Sequence, residues 1–182
     1  MSNLVKINDK NLDIIFDIRY ATTNNVCKQI LYHEPYNKLH PEAYEKFEKA
    51  VNYAKNLGYK FKIFDAYRPF SVQKFMFEYF QKFPQYQSFF SNPETGSIPH
   101  CRGVALDLTL CDLLGNELDM GSDFDELSDL AFHNCLKISP SQLNNRNTLL
   151  GIMMFAGFDF YSQEWWHYQL FNARKYEVIL DN

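Results

Sequence analysis

Histidines and carboxylates at odd separations constrain what this chain can fold into more than any other feature. In GSIPHCRGVALDLTL (96–110), His100 and Asp107 stand seven residues apart, and in EWWHYQL (164–170), Glu164 and His167 stand three apart. On an uninterrupted strand, residues at an odd spacing point to opposite faces of the sheet. For each pair to serve one site, its strand has to be interrupted. Gly103 permits a turn or bulge at Arg102–Gly103, which predicts His100 in a loop and Asp107 on the following strand. Glu164 is expected in the turn before a strand carrying His167, because Trp165, Trp166 and their aromatic neighbours favour strand over a helical turn. Two imidazoles and the Asp107 carboxylate would then make three ligands for a borderline-soft divalent ion, with a fourth tetrahedral position open. His₂Asp suits zinc, and cobalt or nickel also fit.

The rest of the chain supplies elements to carry these motifs. Tyr44, Phe47, Ala50, Val51, Ala54 and Leu57 recur at three- and four-residue spacings, predicting a helix from Pro41 to Leu57 with Gly58 at the C′ position. Tyr59–Phe64 reads as a strand ending at Asp65 that delivers DAYRP (65–69) to an edge of the sheet. Phe70–Phe83 reads as a helix with an aromatic core stripe, stopped by Pro84. Gln85–Pro99 has no periodicity and is a long connection into the metal motif. Val104–Leu110 alternates as a strand, with Asp107 on its small or polar face. A further helix is expected from near Pro140 to about Ala156, ended by Gly157, and Phe158–Phe160 and Trp165–Phe171 read as closing strands. Helices and strands without regular βαβ alternation argue for an α+β fold with a mainly antiparallel central sheet flanked by helices.

Composition narrows the function classes. At 182 residues and 46% apolar content the chain can bury a core without disulfides, and one domain over 1–182 is expected. A net charge of −4 gives no cationic footprint for nucleic acid. Leu149–Phe158 is the longest apolar run, far short of the roughly 20 residues that span a bilayer. No basic segment followed by an apolar one opens the chain, which therefore reads as soluble and cytoplasmic. Cys27, Cys101, Cys111 and Cys135 lack C-x-x-C spacing and read as reduced, partly buried thiols. His33, His40 and His133 read as surface or capping residues. The oligomeric state stays open, a homo-oligomer included.

The order H-x-R-G-x-A-x-D-L-T-L (100–110) followed by E-W-W-H (164–167) resembles the zinc D-alanyl-D-alanine dipeptidases, the family that includes the vancomycin-resistance dipeptidases. RYATTNN (19–25), DAYRP (65–69) and MGSDFD (120–125) agree with it in the same order, so the resemblance runs from about Arg19 to Tyr168. It implies a hedgehog/D,D-peptidase-like fold and one zinc per chain on His100, Asp107 and His167. It also implies that Glu164 is the general base on the attacking water, that Arg68 stabilises the oxyanion, and that Asp125 binds the substrate ammonium, with Asp123 as the fallback. Asp65 is expected to orient its loop, and Arg102 to contact substrate or pair with a carboxylate.

The sequence departs from the family at one point. A serine usually stands two residues before the first histidine, where this chain has Ile98, and Ser97 lies one residue further away as the remaining candidate for substrate binding. Tyr32 and Tyr36 both fall near the position of the family's substrate-contacting tyrosine. The function implied is hydrolysis of D-Ala-D-Ala or a related free dipeptide. The rivals are a D,D- or L,D-carboxypeptidase on peptidoglycan peptides and a noncatalytic zinc-binding module. Asp125 and the missing signal segment argue against the first, and Glu164 with Arg68 against the second.

Overall fold

The computed structural model describes residues 4–34 and 36–181. In chain order its elements are β1 (Val5–Lys6), α1 (Asp9–Leu12), β2 (Ile15–Phe16), β3 (Lys38–Leu39), α2 (Pro41–Asn56), β4 (Tyr59–Asp65), α3 (Phe70–Phe80), β5 (Ala105–Asp112), α4 (Pro140–Ala156), β6 (Asp159–Phe160) and β7 (His167–Gln169). A five-stranded sheet in the order β2-β4-β5-β7-β6 is antiparallel except for the β2–β4 pair, and β1 pairs with β3 as a separate two-stranded ribbon. The fold is α+β, as the irregular succession of helices and strands implies. Among the described residues no helix is long and apolar enough to cross a membrane.

One face of the sheet is core. Phe61 and Ile63 lie opposite Leu110 and Leu108 in the β4–β5 register. All four are fully buried, and Phe47 of α2 packs on Phe61 with ring centroids 5.6 Å apart. Burying a side chain such as Phe47 stabilises the fold by roughly 1.5–3 kcal/mol. Helix α4 lies beside α2. It begins in a capping box in which the Ser139 hydroxyl accepts the Gln142 N–H and the Gln142 side chain accepts the Ser139 N–H. A cap of this kind contributes about 1 kcal/mol.

The opposite face is prepared for polar residues by a bulge. Ile63 pairs with Leu108, yet Asp65 pairs with Asp107, so two steps on β4 match one on β5. The extra residue turns Asp65 off the helix-covered face and onto the face that holds Asp107.

Several boundaries differ from the sequence reading. Helix α3 stops at Phe80, because Phe83 already starts a 3₁₀ turn over Pro84–Phe89. Its stripe is not all core: Met76 and Phe80 are buried, Phe75 and Phe83 are over a third exposed, and the polar Gln73 is buried instead. Strand β4 is an inner strand, so DAYRP leaves the sheet at a strand end and not at an edge strand. Strands β6 and β7 are shorter than their aromatic runs, since Tyr161–Trp166 is occupied by the turn between them. His133 is half-buried, edge-on to Phe160 and Tyr168. Its Nε2 has no hydrogen-bond partner among the described residues, and burial pushes the ring down to about 4. His40 caps α2, its Nδ1 accepting the Glu42 N–H at 3.2 Å, and His33 is exposed.

Candidate active site

Asp107 of β5 lies directly opposite His167 of β7. His100 enters from a 3₁₀ turn, Pro99–Arg102, that ends at Gly103 with φ +67°. A Cβ at Gly103 would lie 2.5 Å from a Leu4 methyl and 3.1 Å from the His40 nitrogen, so this reversal takes glycine only. Glu164 sits in the turn before β7, and its carbonyl accepts the His167 N–H at 3.3 Å. Both odd spacings are therefore resolved by the interruptions that the sequence predicts.

His100 Nε2, His167 Nδ1 and Asp107 Oδ1 face one another, 3.2 Å between the imidazoles and 3.3 and 2.9 Å from His100 and His167 to the carboxylate. Ligand atoms about 2.0–2.1 Å from a tetrahedral ion stand about 3.3 Å apart, so the spacing fits a zinc-sized ion. The outer nitrogens fix which lone pairs face inward. His100 Nδ1 lies 2.6 Å from the Ala66 carbonyl, which only accepts, so the proton is on Nδ1 and Nε2 is free. His167 Nε2 donates to Gln169 Oε1 at 3.1 Å, leaving Nδ1 free. Three electron-pair donors without a hydrogen between them repel, and a cation at their centre relieves that repulsion. The donor set fits a divalent metal, with Ala66 and Gln169 as its outer supports. Burial alone would raise the Asp107 carboxyl, but the two imidazoles hold it well below the usual carboxylate range.

Glu164 Oε2 stands 3.8 Å from His167 Nδ1, beyond the donor triad. Burial pushes its carboxyl up to about 7, against the pull of His167. A carboxyl that titrates near neutrality is matched to taking and returning a proton at that pH.

Arg68 is nine-tenths buried. Its Nε and Nη2 both donate to Asp65 Oδ2, at 3.0 and 2.8 Å, and its Nη1 donates to Gln73 Oε1 at 3.0 Å. Three of the five guanidinium N–H groups are thereby occupied. Nη2 also lies 3.6 Å from Asp107 Oδ2, which places the remaining donors beside the triad. Asp65 accepts from Tyr32 Oη at 2.6 Å and from the Ala66 N–H at 2.9 Å, so it anchors Arg68 and its loop.

Asp125 faces the triad across a cleft of about 140 Å³ that Arg68, Glu164 and Ser97 also line. Its oxygens accept from Tyr20 Oη at 2.9 Å and the Val26 N–H at 3.0 Å, and burial pushes it up to about 7 against the pull of those donors. A half-buried carboxyl whose hydrogen bonds come only from neutral donors is ready for a cationic partner. Asp123 is exposed and lines a neighbouring depression instead.

Ser97 is half-buried at the cleft, and Ile98 beside it is buried with φ +38°, a left-handed conformation costly for a β-branched residue. Among the described residues Arg102 does not line the cleft and has no carboxylate partner. It donates to the carbonyls of Ser97, at 2.7 Å, and of Tyr176, tying down the turn that carries His100. Tyr32 serves Asp65, and Tyr36 packs between Tyr32 and Tyr67. The tyrosines lining the cleft are Tyr20, inside RYATTNN itself, and Tyr161. Gln73 and Gln169 were also missed. Gln73 was detectable as the one polar residue in an aromatic stripe, and Gln169 by standing two residues beyond His167 on the same strand face. Cys101 is no ligand: it is fully buried, and burial pushes its thiol up to about 12.

The chain is also similar in sequence to known proteins. The family Peptidase M15, described as D-ala-D-ala dipeptidase, matches residues 1–181. The D-alanyl-D-alanine dipeptidase of Escherichia coli (strain K12) is 34% identical over 169 residues, covering 93% of this chain and 85% of the relative. The proteins of the same name from Enterococcus faecium and Enterococcus faecalis (strain ATCC 700802 / V583) are 32% and 30% identical, each alignment covering 85% of both chains.

Proposed function

This chain belongs to the D-Ala-D-Ala dipeptidase family and is a metallopeptidase, and from that premise we propose that it hydrolyses free D-alanyl-D-alanine or a closely related D,D-dipeptide. One zinc ion would be held by His100 Nε2, His167 Nδ1 and Asp107 Oδ1. When bound there, zinc supplies a Lewis acid and lowers the pKa of water. The protein's own groups do the rest. Glu164 takes a proton from the attacking water and returns it to the leaving amine. Arg68, held rigid by Asp65 and Gln73, turns its remaining N–H groups toward the oxygen on which negative charge grows. Asp125, oriented by Tyr20 and Val26, binds the ammonium, and Ser97 assists at the substrate's other end.

The observation that carries this reading is Asp125, a half-buried carboxyl with no ion-pair partner among the described residues, lining the same small cleft as the donor triad. A free dipeptide is a zwitterion and brings the missing cation. Acetylation removes that charge and leaves the carboxylate unpaired, a penalty of several kcal/mol by the logic of broken buried pairs. The zinc-loaded protein should cut free D-Ala-D-Ala and leave N-acetyl-D-Ala-D-Ala almost untouched. Equal cleavage of the two would overturn the dipeptidase reading in favour of a carboxypeptidase.

A further inference from the structure

Arg146 is among the most completely buried large side chains of the molecule, 1% exposed, and none of the steps above uses it. It has no carboxylate partner among the described residues. Its acceptors all come from one segment: the carbonyls of Met120 at 2.6 Å, Leu130 at 2.8 Å and Phe132 at 2.9 Å, and the Ser122 hydroxyl at 3.4 Å. A single guanidinium thus gathers both ends of the stretch 120–132, and Asp125 lies between those ends with φ +62°. The left-handed conformation is unfavourable for a residue other than glycine and persists only where its surroundings over-determine it.

The same network reaches the catalytic turn. Trp165 Nε1 donates to Ser122 Oγ at 2.9 Å, the Trp165 N–H donates to the Ala131 carbonyl at 3.0 Å, and the Arg146 guanidinium lies 5.7 Å from the Trp165 ring centroid. Glu164 is the residue before Trp165. The segment that presents Asp125 and the turn that presents Glu164 are therefore fixed to each other through Arg146, Ser122 and Trp165.

We propose that Arg146 is a positioning residue of the substrate-binding wall: its fork of donors closes segment 120–132 and sets the distance between Asp125 and the donor triad. Buried charge is kept here because no apolar side chain can satisfy three carbonyls at once. The inference rests on the reading of Asp125 as the ammonium site for its kinetic consequence, though not for its structural one.

Arg146→Lys is the primary test, since lysine keeps the charge but loses the planar fork. In the zinc-loaded variant, KM for free D-Ala-D-Ala should rise about tenfold or more while kcat changes by less than about threefold, the pattern of lost ground-state binding. Backbone amides of 120–132 should lose hydrogen-exchange protection, while those of β5 and β7 keep theirs. A folded, zinc-loaded Arg146→Lys with unchanged KM and unchanged protection in 120–132 overturns the proposal. If that variant does not fold, Ser122→Ala decides, because it removes the shared acceptor alone: raised KM with zinc retained supports the proposal, and an unchanged KM overturns it. Failure of the ammonium reading is recognised separately, by the unmodified protein cutting acetylated and free dipeptide alike, and in that case the exchange measurement alone decides the role of Arg146.

Discussion

The donor wall of the cleft sits on or beside paired strands, whereas the wall that carries Asp125 is built almost wholly of loop. Asp107 and His167 are placed by the β5–β7 ladder, and His100 by a turn locked at Gly103. Backbone hydrogen bonds set most of those positions; side chains fix which nitrogen faces inward, and Arg102 ties down the His100 turn. Across the cleft no ladder is found among the described residues: a tyrosine hydroxyl and one backbone N–H hold Asp125, and a buried arginine ties the carbonyls of its segment. A strand delivers atoms to a metal with the tolerance coordination demands. A loop needs polar side chains to reach comparable order, and it remains the part that can change with substrate.

The contrast can be broken or sharpened by substitution. The largest effect is expected on the donor wall: His100→Ala and His167→Ala should each lose the metal, from one zinc per chain to substoichiometric, and turnover with it. Elemental analysis after gel filtration checks this, and a full complement of zinc in both variants would refute the donor assignment. Glu164→Gln comes next, with zinc retained and kcat lower by roughly 10²–10⁴. If it purifies without metal, Glu164 is a ligand and the triad is incomplete.

Arg68 anchors Asp65, lies beside Asp107 and sits over the Tyr20 ring, so its replacement should act on both activity and stability. Arg68→Ala leaves Asp65 buried and unpaired, a loss on the order of 3–5 kcal/mol measurable in urea. Arg68→Lys keeps a cation but not the fork, so the denaturation midpoint should fall less while kcat still drops by about 10². Unchanged kcat in a folded Arg68→Lys would confine Arg68 to a structural role. The smallest effect is expected at Gln169, whose side chain accepts from the outer nitrogen of His167. Gln169→Ala should weaken zinc roughly 10–100-fold, read by competition with a chelating dye. Wild-type affinity would mean that β7 alone holds the ring.

The sequence carries the donor wall far better than the wall opposite. The parity of His100 with Asp107, the position of Gly103 and the capped helices at Pro41 and Pro140 are local signals, written within a few residues of where they act. The two-residue strands β1, β2 and β3 are too short to show periodicity, and the parallel β2–β4 pair depends on long-range contact. Arg146 is not legible for a related reason. Its acceptors are mainly carbonyls brought near by the fold, and a carbonyl is present at every residue. Arg102 misled for the same cause: its charge suggested a carboxylate partner, and it spends its donors on two carbonyls.

The direct pairing of Asp107 with His167 also bears on how an ion would leave. These donors are sixty residues apart in the chain and meet only when β7, a strand of three residues, is docked on β5. The unfolded chain presents no such cluster, so zinc would stabilise the folded state by simple mass action. Release, however, does not need global unfolding. Detachment of β7 removes one donor and opens the coordination sphere, so the rate of zinc loss to a chelator would report the fraying of that short strand, while the core under α2 and α4 stays closed.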